Sequence, residues 1–340
     1  LTPPLLTNIT IKQAALAPII ADPAAVTGLG AGLNITGNFT DRILVRGGRI
    51  RFDHRWRDHG VPYEITDNIE VRSAYPNNDE RPAIWTLDPG AALLIHPNRN
   101  LTVGSLYGQG AIQALGTETN PITLTPLSDT SAPWDRFRFD AWNNADSELR
   151  HVALLHGGGP ADTGTEAVIF KGDSGELRLD NVVIQNSLNG AIYGNDGRLW
   201  IRDSDLSGNR FGVRFGGPKA QVRNTDLSNN TEYAFVNVFP SSYCYAASGN
   251  YWGPGGPSDT SDAEDACRST RTNAGTGVVS DGIGYMPWLT DGSGLTSFGS
   301  IRPDVHWVIA DGVDGTELTV TLLDGQGAPL SGKEVTLETN

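Results

Sequence analysis

"GELRLDNVVIQNSLNGAIYGNDGRLWIRDSDLSGNRFGVRFGG", residues 175–217, says nearly the same thing twice. Leu179 and Ile184 lead into "QNS", and Ile201 and Leu206 lead into "SGN". Leu149 and Leu154 before "HGGG", and Val222 and Leu227 before "SNN", repeat the pattern. The last three registers lie 22 and 21 residues apart, and a Gly/Pro/Thr-rich insert at 157–164 lengthens the first gap to 30. Self-similarity at this period marks a solenoid. Within each unit apolar and polar residues alternate over short runs, as in Leu177/Leu179 against Arg178/Asp180. No stretch sustains a helical period, so each unit reads as a coil of short strands. One coil cannot bury its inward face, and stacking makes the core continuous.

The alignment predicts rows. His151, Asn181, Asp203 and Asn224 share a turn position, where polar side chains could satisfy backbone groups left unpaired by the bend. Arg178 and Trp200 share an outward row, Arg202 and Arg223 another, and Asp205 and Asp226 a third. A third strand follows in "AVIF", "GAIY", "GVRF" and "YAFVNV". Matched by their aromatic ends, "GAIY" and "GVRF" put Tyr193 and Phe215 inward and Ile192 and Arg214 outward. Further short runs upstream, from "RILVRGGRIRF" to "WDRFRFD", extend the pattern. With 41 Gly and 20 Pro, the chain reads as all-β.

Net charge is −14 over 340 residues, which argues against nucleic acid as a partner. No apolar run approaches the ~18 residues of a membrane span. The start at Leu1 is expected to reflect either processing to a mature chain or expression of a piece of a longer one. Cys244 and Cys267 are expected to form one disulfide in an oxidising compartment, hence an extracellular or cell-surface location. N-x-[ST] sequons at Asn8, Asn34, Asn38, Asn100 and Asn229 are candidate glycan sites in a glycosylating host.

"PYEITDNIEV", "WTLDPGAALLIHPNRNLTVGSLYGQGAIQALGTETNPITLT", "APWDRFRF", "SELRHVALLHGGG", "SGNYWGPGGPSD" and "GYMPWLT" together resemble right-handed parallel β-helix proteins of bacterial surfaces. The resemblance spans roughly residues 34–290 and implies the pectate-lyase-like superfamily fold. It does not imply lyase activity, since many such domains are non-catalytic parts of adhesins and surface layers. "LLDGQGAPLSGKEVTL" resembles the start of an invasin-type bacterial immunoglobulin-like (Ig-like) module. The expected organisation is therefore an N-terminal extension or cap at 1–33, a capped β-helix at 34–299 and partial Ig-like strands at 300–340. Such a sandwich needs about seven strands and about three are present. Either a longer protein is truncated there, or another chain supplies strands. "LLTNITIKQAALAPIIA" is either such a donor, giving a head-to-tail homopolymer, or a strand packed on its own β-helix.

Asp205 and Asp226, beside Arg202 and Arg223, are the candidate catalytic set. Stacked carboxylates ~5 Å apart could share a proton or hold Ca²⁺, the one ion left open. The alternative is a solvated face of Asp–Arg pairs. "DHRWRDH" (53–59) places His54 and His59 near carboxylates, but a metal site needs three or more ligands. The carboxylates of "DTSDAED" (259–265) lack EF-hand spacing. Trp200, Tyr251 and Trp252 are candidate sugar-stacking residues, the last two equally readable as a plug over the final coil. The leading expectation is a structural surface protein for adhesion, display or lattice assembly. The rivals are a polysaccharide lyase or hydrolase and a non-catalytic carbohydrate-binding β-helix.

Overall fold

A computed structural model describes residues 5–73, 81–127, 132–139, 146–159, 166–172, 175–240, 242–259, 277–285, 288–290, 300–303 and 318–321. These residues form an all-β stack of parallel strands, with one 3-10 turn at Val26–Gly28 among them. Each coil contributes to three faces. The first face runs from His54–Trp56 through Ala83–Leu87 and Gly110–Leu115, then through the leading halves of Ser147–Leu155 and Glu176–Gln185. It continues into Arg198–Arg202, Lys219–Arg223, Tyr245–Ala246 and Ile283–Gly284. The second face starts at Ile19–Ala21 and reaches the trailing halves of the two long strands. From there it proceeds as single bridges, Val183 to Asp205 to Asp226 to Tyr251 to Leu289. The third face runs from Gly48–Ile50 to Gly277–Val279, with Pro257–Asp259 at its end.

The inward columns are those the repeat predicts. Leu149, Leu179, Ile201 and Val222 are in register and buried. So are Leu154, Ile184, Leu206 and Leu227, on the second face. Each such side chain contributes roughly 1.5–3 kcal/mol of apolar burial.

The predicted turn row exists but works differently. His151, Asn181, Asp203 and Asn224 have φ of 47°, 54°, 50° and 47°, the left-handed region that Asn and Asp tolerate best. One residue in that conformation turns the strand from the first face to the second. After Asp203 and Asn224 the backbone at this bend is satisfied by the next residue, Ser204 or Thr225, which points inward. Ser204 Oγ accepts from the Val182 N–H (3.1 Å) and donates to the Arg202 carbonyl (2.7 Å). Thr225 Oγ1 donates to the Arg223 carbonyl, and buried Asn250 accepts from the Thr225 N–H (2.9 Å). Asn250 Nδ2 also donates to the carbonyls of Val222 and Ala247. At the next corner Asn209, 2% exposed, accepts from the Ser187 N–H and donates to the carbonyls of Ile184 and Leu206. Asn230 accepts in turn from the Asn209 N–H.

On the third face the expected register slips by one residue. Ile192 pairs with Val213 and Tyr193 with Arg214, so Ile192 is inward and Phe215 lies opposite Gly194. The corner before Phe211 is one residue shorter than the corner before Gly190. The Phe211 ring fills the space over Gly190, where a Cβ would sit 2.0 Å from it.

The N-terminal segment is the first coil of its own stack, the second of the two arrangements expected for it. Thr10–Ile11 pairs with Asn34–Ile35, Leu6 bridges Leu29, and Ile19–Ala21 pairs with Ile43–Val45. At the other end Trp252 and Tyr285 are fully buried with ring centroids 6.4 Å apart, and Trp288 packs on Tyr285. This is the aromatic plug. Ser300–Pro303 pairs antiparallel with Leu318–Thr321. The rest of the expected Ig-like segment lies outside the described residues, as do Cys267 and most of "DTSDAED" (260–265).

The corner geometry makes a direct prediction. Asn181→Val should destabilise the fold by about 1–2 kcal/mol, while Asn181→Gly should leave stability within about 0.5 kcal/mol of wild type. Equilibrium denaturant unfolding measures both.

Candidate functional site

Strand alternation sends every second side chain of the first face outward, and in-register pairing lines these up in columns. One column is Glu176, Arg198, Lys219. The central column is Glu148, Arg178, Trp200, Gln221, and the third is Arg150, Asp180, Arg202, Arg223. Neighbours within a column are one coil apart, ~4.8 Å.

The acids of this surface lie low and are engaged. Glu176 and Asp180 are 8% and 7% exposed and pair with Arg178 and Arg202. Glu148 lies 4.0 Å from Arg150. Burial pushes the Glu176 carboxyl up, but contacts with the Trp200 indole and Arg178 outweigh it and hold it below the usual range. The cations stand exposed above. Among the described residues Arg198, Lys219 and Arg223 have no carboxylate within ion-pair distance. Lys219 Nζ sits 4.8 Å from the centroid of the Trp200 ring. Arg223 donates from Nε and Nη2 to the Gln221 side-chain oxygen at 2.6 and 2.7 Å, with that amide oriented to accept.

The expected catalytic set is split by the corner. Asp205 and Asp226 are adjacent, as the alignment predicts, but they lie on the second face, while Arg202 and Arg223 lie on the first. Each carboxylate caps its own turn. Asp205 Oδ1 accepts from the Ser207 N–H (3.0 Å) and hydroxyl (2.6 Å), and Oδ2 from Gln185 Nε2 (2.7 Å). Asp226 Oδ1 accepts from the Ser228 N–H (2.8 Å). Burial pushes the Asp226 carboxyl up, the Ser228 hydrogen bonds oppose this, and the Asp205 charge adds to it. Arg202 is committed to Asp180 rather than to either aspartate.

Of the stacking candidates, Trp252 is fully buried, so its faces meet only protein. Tyr251 is half-buried between Asp226 and Leu289. Trp200 is half-buried, with one face occupied by Lys219. The sequence reading overlooked Arg198 and Lys219, although "RLWIR" and "KAQVR" show both at period-2 spacing from Arg202 and Arg223.

The two histidines of "DHRWRDH" diverge. His54 faces the core opposite Trp85, and His59 packs on the Tyr63 ring at 6.2 Å. Among the described residues no group of three His, Cys, Asp or Glu could hold a metal. Of the sequons, Asn8, Asn34 and Asn229 are exposed. The Asn38 amide is engaged by the Ala14 N–H, the Ile11 carbonyl and Asp41, and Asn100 is half-buried. No helix of the described residues is long and apolar enough to cross a membrane.

Compared with known proteins, the chain matches no family model, no curated protein and no solved structure.

Two pH effects follow. Because the Asp226 pKa is raised on folding, its contribution to stability is full below the ordinary value of 3.8 and is lost as pH rises through the folded value. Asp226→Asn should therefore unfold at higher temperature than wild type near neutral pH, with the gap closing in acid. Burial lowers the pKa of His54 and His59. Their contribution is present above 6.5 and is lost as pH falls through the folded values. Hydrogen-exchange protection in His54–Trp56, taken relative to the intrinsic rate at each pH, should fall on acidification, and His54→Leu should blunt the effect.

Proposed function

We propose that this chain is a structural protein of the cell exterior, a rigid solenoid whose work is display, adhesion or lattice assembly. In this reading its coils are right-handed, the hand taken by nearly all parallel crossovers. The strands at the C-terminus open an Ig-like module, and Cys244 and Cys267 pair in an oxidising compartment. The N-terminal segment takes part as the first coil, paired with Asn34–Ile35 and Ile43–Val45.

The observation that supports a scaffold over an enzyme is the use made of the candidate carboxylates. General acid–base chemistry needs a group poised to meet substrate. Asp205 and Asp226 instead accept hydrogen bonds from Ser207 and Ser228 at equivalent turns of successive coils. They repeat because the turn repeats.

The test is depolymerisation. Incubated with acidic and neutral polysaccharides, with and without Ca²⁺, the chain should release neither reducing ends nor unsaturated products. Turnover that disappears in Asp205→Ala would overturn the proposal.

A further inference from the structure

The first face has a seam near its N-terminal end. His54–Trp56 pairs with Ala83–Leu87 on one side, but on the other it meets the 3-10 turn Val26–Gly28 instead of a strand. Among the described residues one hydrogen bond joins the turn to the strand, from the Arg55 N–H to Thr27 Oγ1 at 3.4 Å. The other two faces are closed between the same coils, Ile43–Val45 on Tyr63–Ile65 and Gly48–Ile50 on Ile69–Val71. The turn is also bordered by empty space. Ala25, Gly28 and Leu29 line a cavity of about 350 Å³ with Leu6 and Ile19.

His54 lies at this seam. It is 8% exposed, and its Nδ1 is buried with no hydrogen-bond partner among the described residues. Its neighbours offer no acceptor for a second N–H. Trp85 is its register partner, and Trp56 lies 4.9 Å from the Trp85 ring. Both indole N–H groups are buried and themselves unpartnered, and an indole only donates. The turn and Ala83–Leu87 contain no charged residue. The charge that acts on His54 is Asp53, whose carboxylate accepts from the Ile84 N–H at 3.1 Å. Arg55, on the outward side, is paired with Asp88. An imidazolium formed here must therefore reach water.

We propose that the turn Val26–Gly28 is an acid-released gate: when His54 takes up a proton, the turn parts from His54–Trp56 and the first face opens between these two coils. The second-face and third-face ladders stay closed and act as the hinge. Opening hydrates the imidazolium and uncovers Trp56 and Trp85, and the neutral ring restores the contact. His54 is neutral in the closed state and charged in the open one, so opening is favoured as pH falls below the ordinary value of 6.5. The gate is independent of the scaffold reading, which is judged by turnover.

Hydrogen exchange of the full chain, read by mass spectrometry and taken relative to intrinsic rates at about pH 7.5 and about pH 5, is the test. Protection in Val26–Leu29 and His54–Trp56 should fall about tenfold or more in acid, the size set by one unit of pKa difference. Protection in Tyr63–Ile65 and Ala92–Ile95 should change by less than about twofold. His54→Leu and His54→Gln, which cannot take up the charge, should each abolish the fall, and either one that folds decides the matter. Thr27→Val, which removes the hydrogen bond to Arg55, should lower protection of the turn already at neutral pH. No fall in acid, an equal fall in the His54 variants, or an equal fall in Tyr63–Ile65 would overturn the proposal.

Discussion

The constraint on which everything else depends is the backbone at the corners. A parallel stack must turn several times per coil, and each turn takes peptide groups out of the strand ladders while keeping them away from water. An unpaired buried N–H or C=O costs about as much as a lost hydrogen bond. The molecule meets this with short polar side chains placed inside the bend, each reaching its own or a neighbouring coil. Ser204, Thr225 and Asn250 do so at one corner, and Asn209 and Asn230 at the next. These contacts hold the coils in register, and the apolar columns of Leu179 and Ile184 share that register.

The same register explains what is not a site. Two aspartates stacked one coil apart look like a catalytic pair, yet register stacks every repeated turn residue. Asp205 and Asp226 carry their serines with them, and the pair is the by-product of a repeated cap. The first face is different because its ion pairs do not repeat. There Arg202 pairs with Asp180 of the preceding coil, while Lys219 and Arg223 on the next have no carboxylate within ion-pair distance among the described residues.

Much of the fold was legible in the strand pattern. Apolar residues at fixed offsets located two inward columns, and His151, Asn181, Asp203 and Asn224 at one turn position located the corner, though not its left-handed backbone. The aromatic closing segment was readable in Tyr251, Trp252 and Trp288 beside Gly and Pro, although one further coil, through Gly277–Val279, Ile283–Gly284 and Leu289, stacks beyond Tyr251. The third face was misaligned because Tyr193 and Phe215 resemble each other in chemistry. What decides the register there is a one-residue difference in corner length and a glycine that leaves room for Phe211. The split of the expected catalytic set escaped for a related reason. A single residue such as Asp203 changes the face, so Arg202 and Asp205, three apart in sequence, do not share a surface. The inner capping row was missed because Ser204 and Thr225 differ in type and only their position is shared.

The stacking has a mechanical consequence. In the described coils the ladders run to the coil before and the coil after, so tension applied to the ends of the chain does not load all of them at once. The outermost coil carries the force and peels away before the next is strained. From Leu179 to the equivalent Ile201 is one coil, and about 22 residues at roughly 3.4 Å each release some 75 Å of length. A tether built this way would lengthen in steps of one coil, dissipating a pull that would otherwise reach whatever it holds.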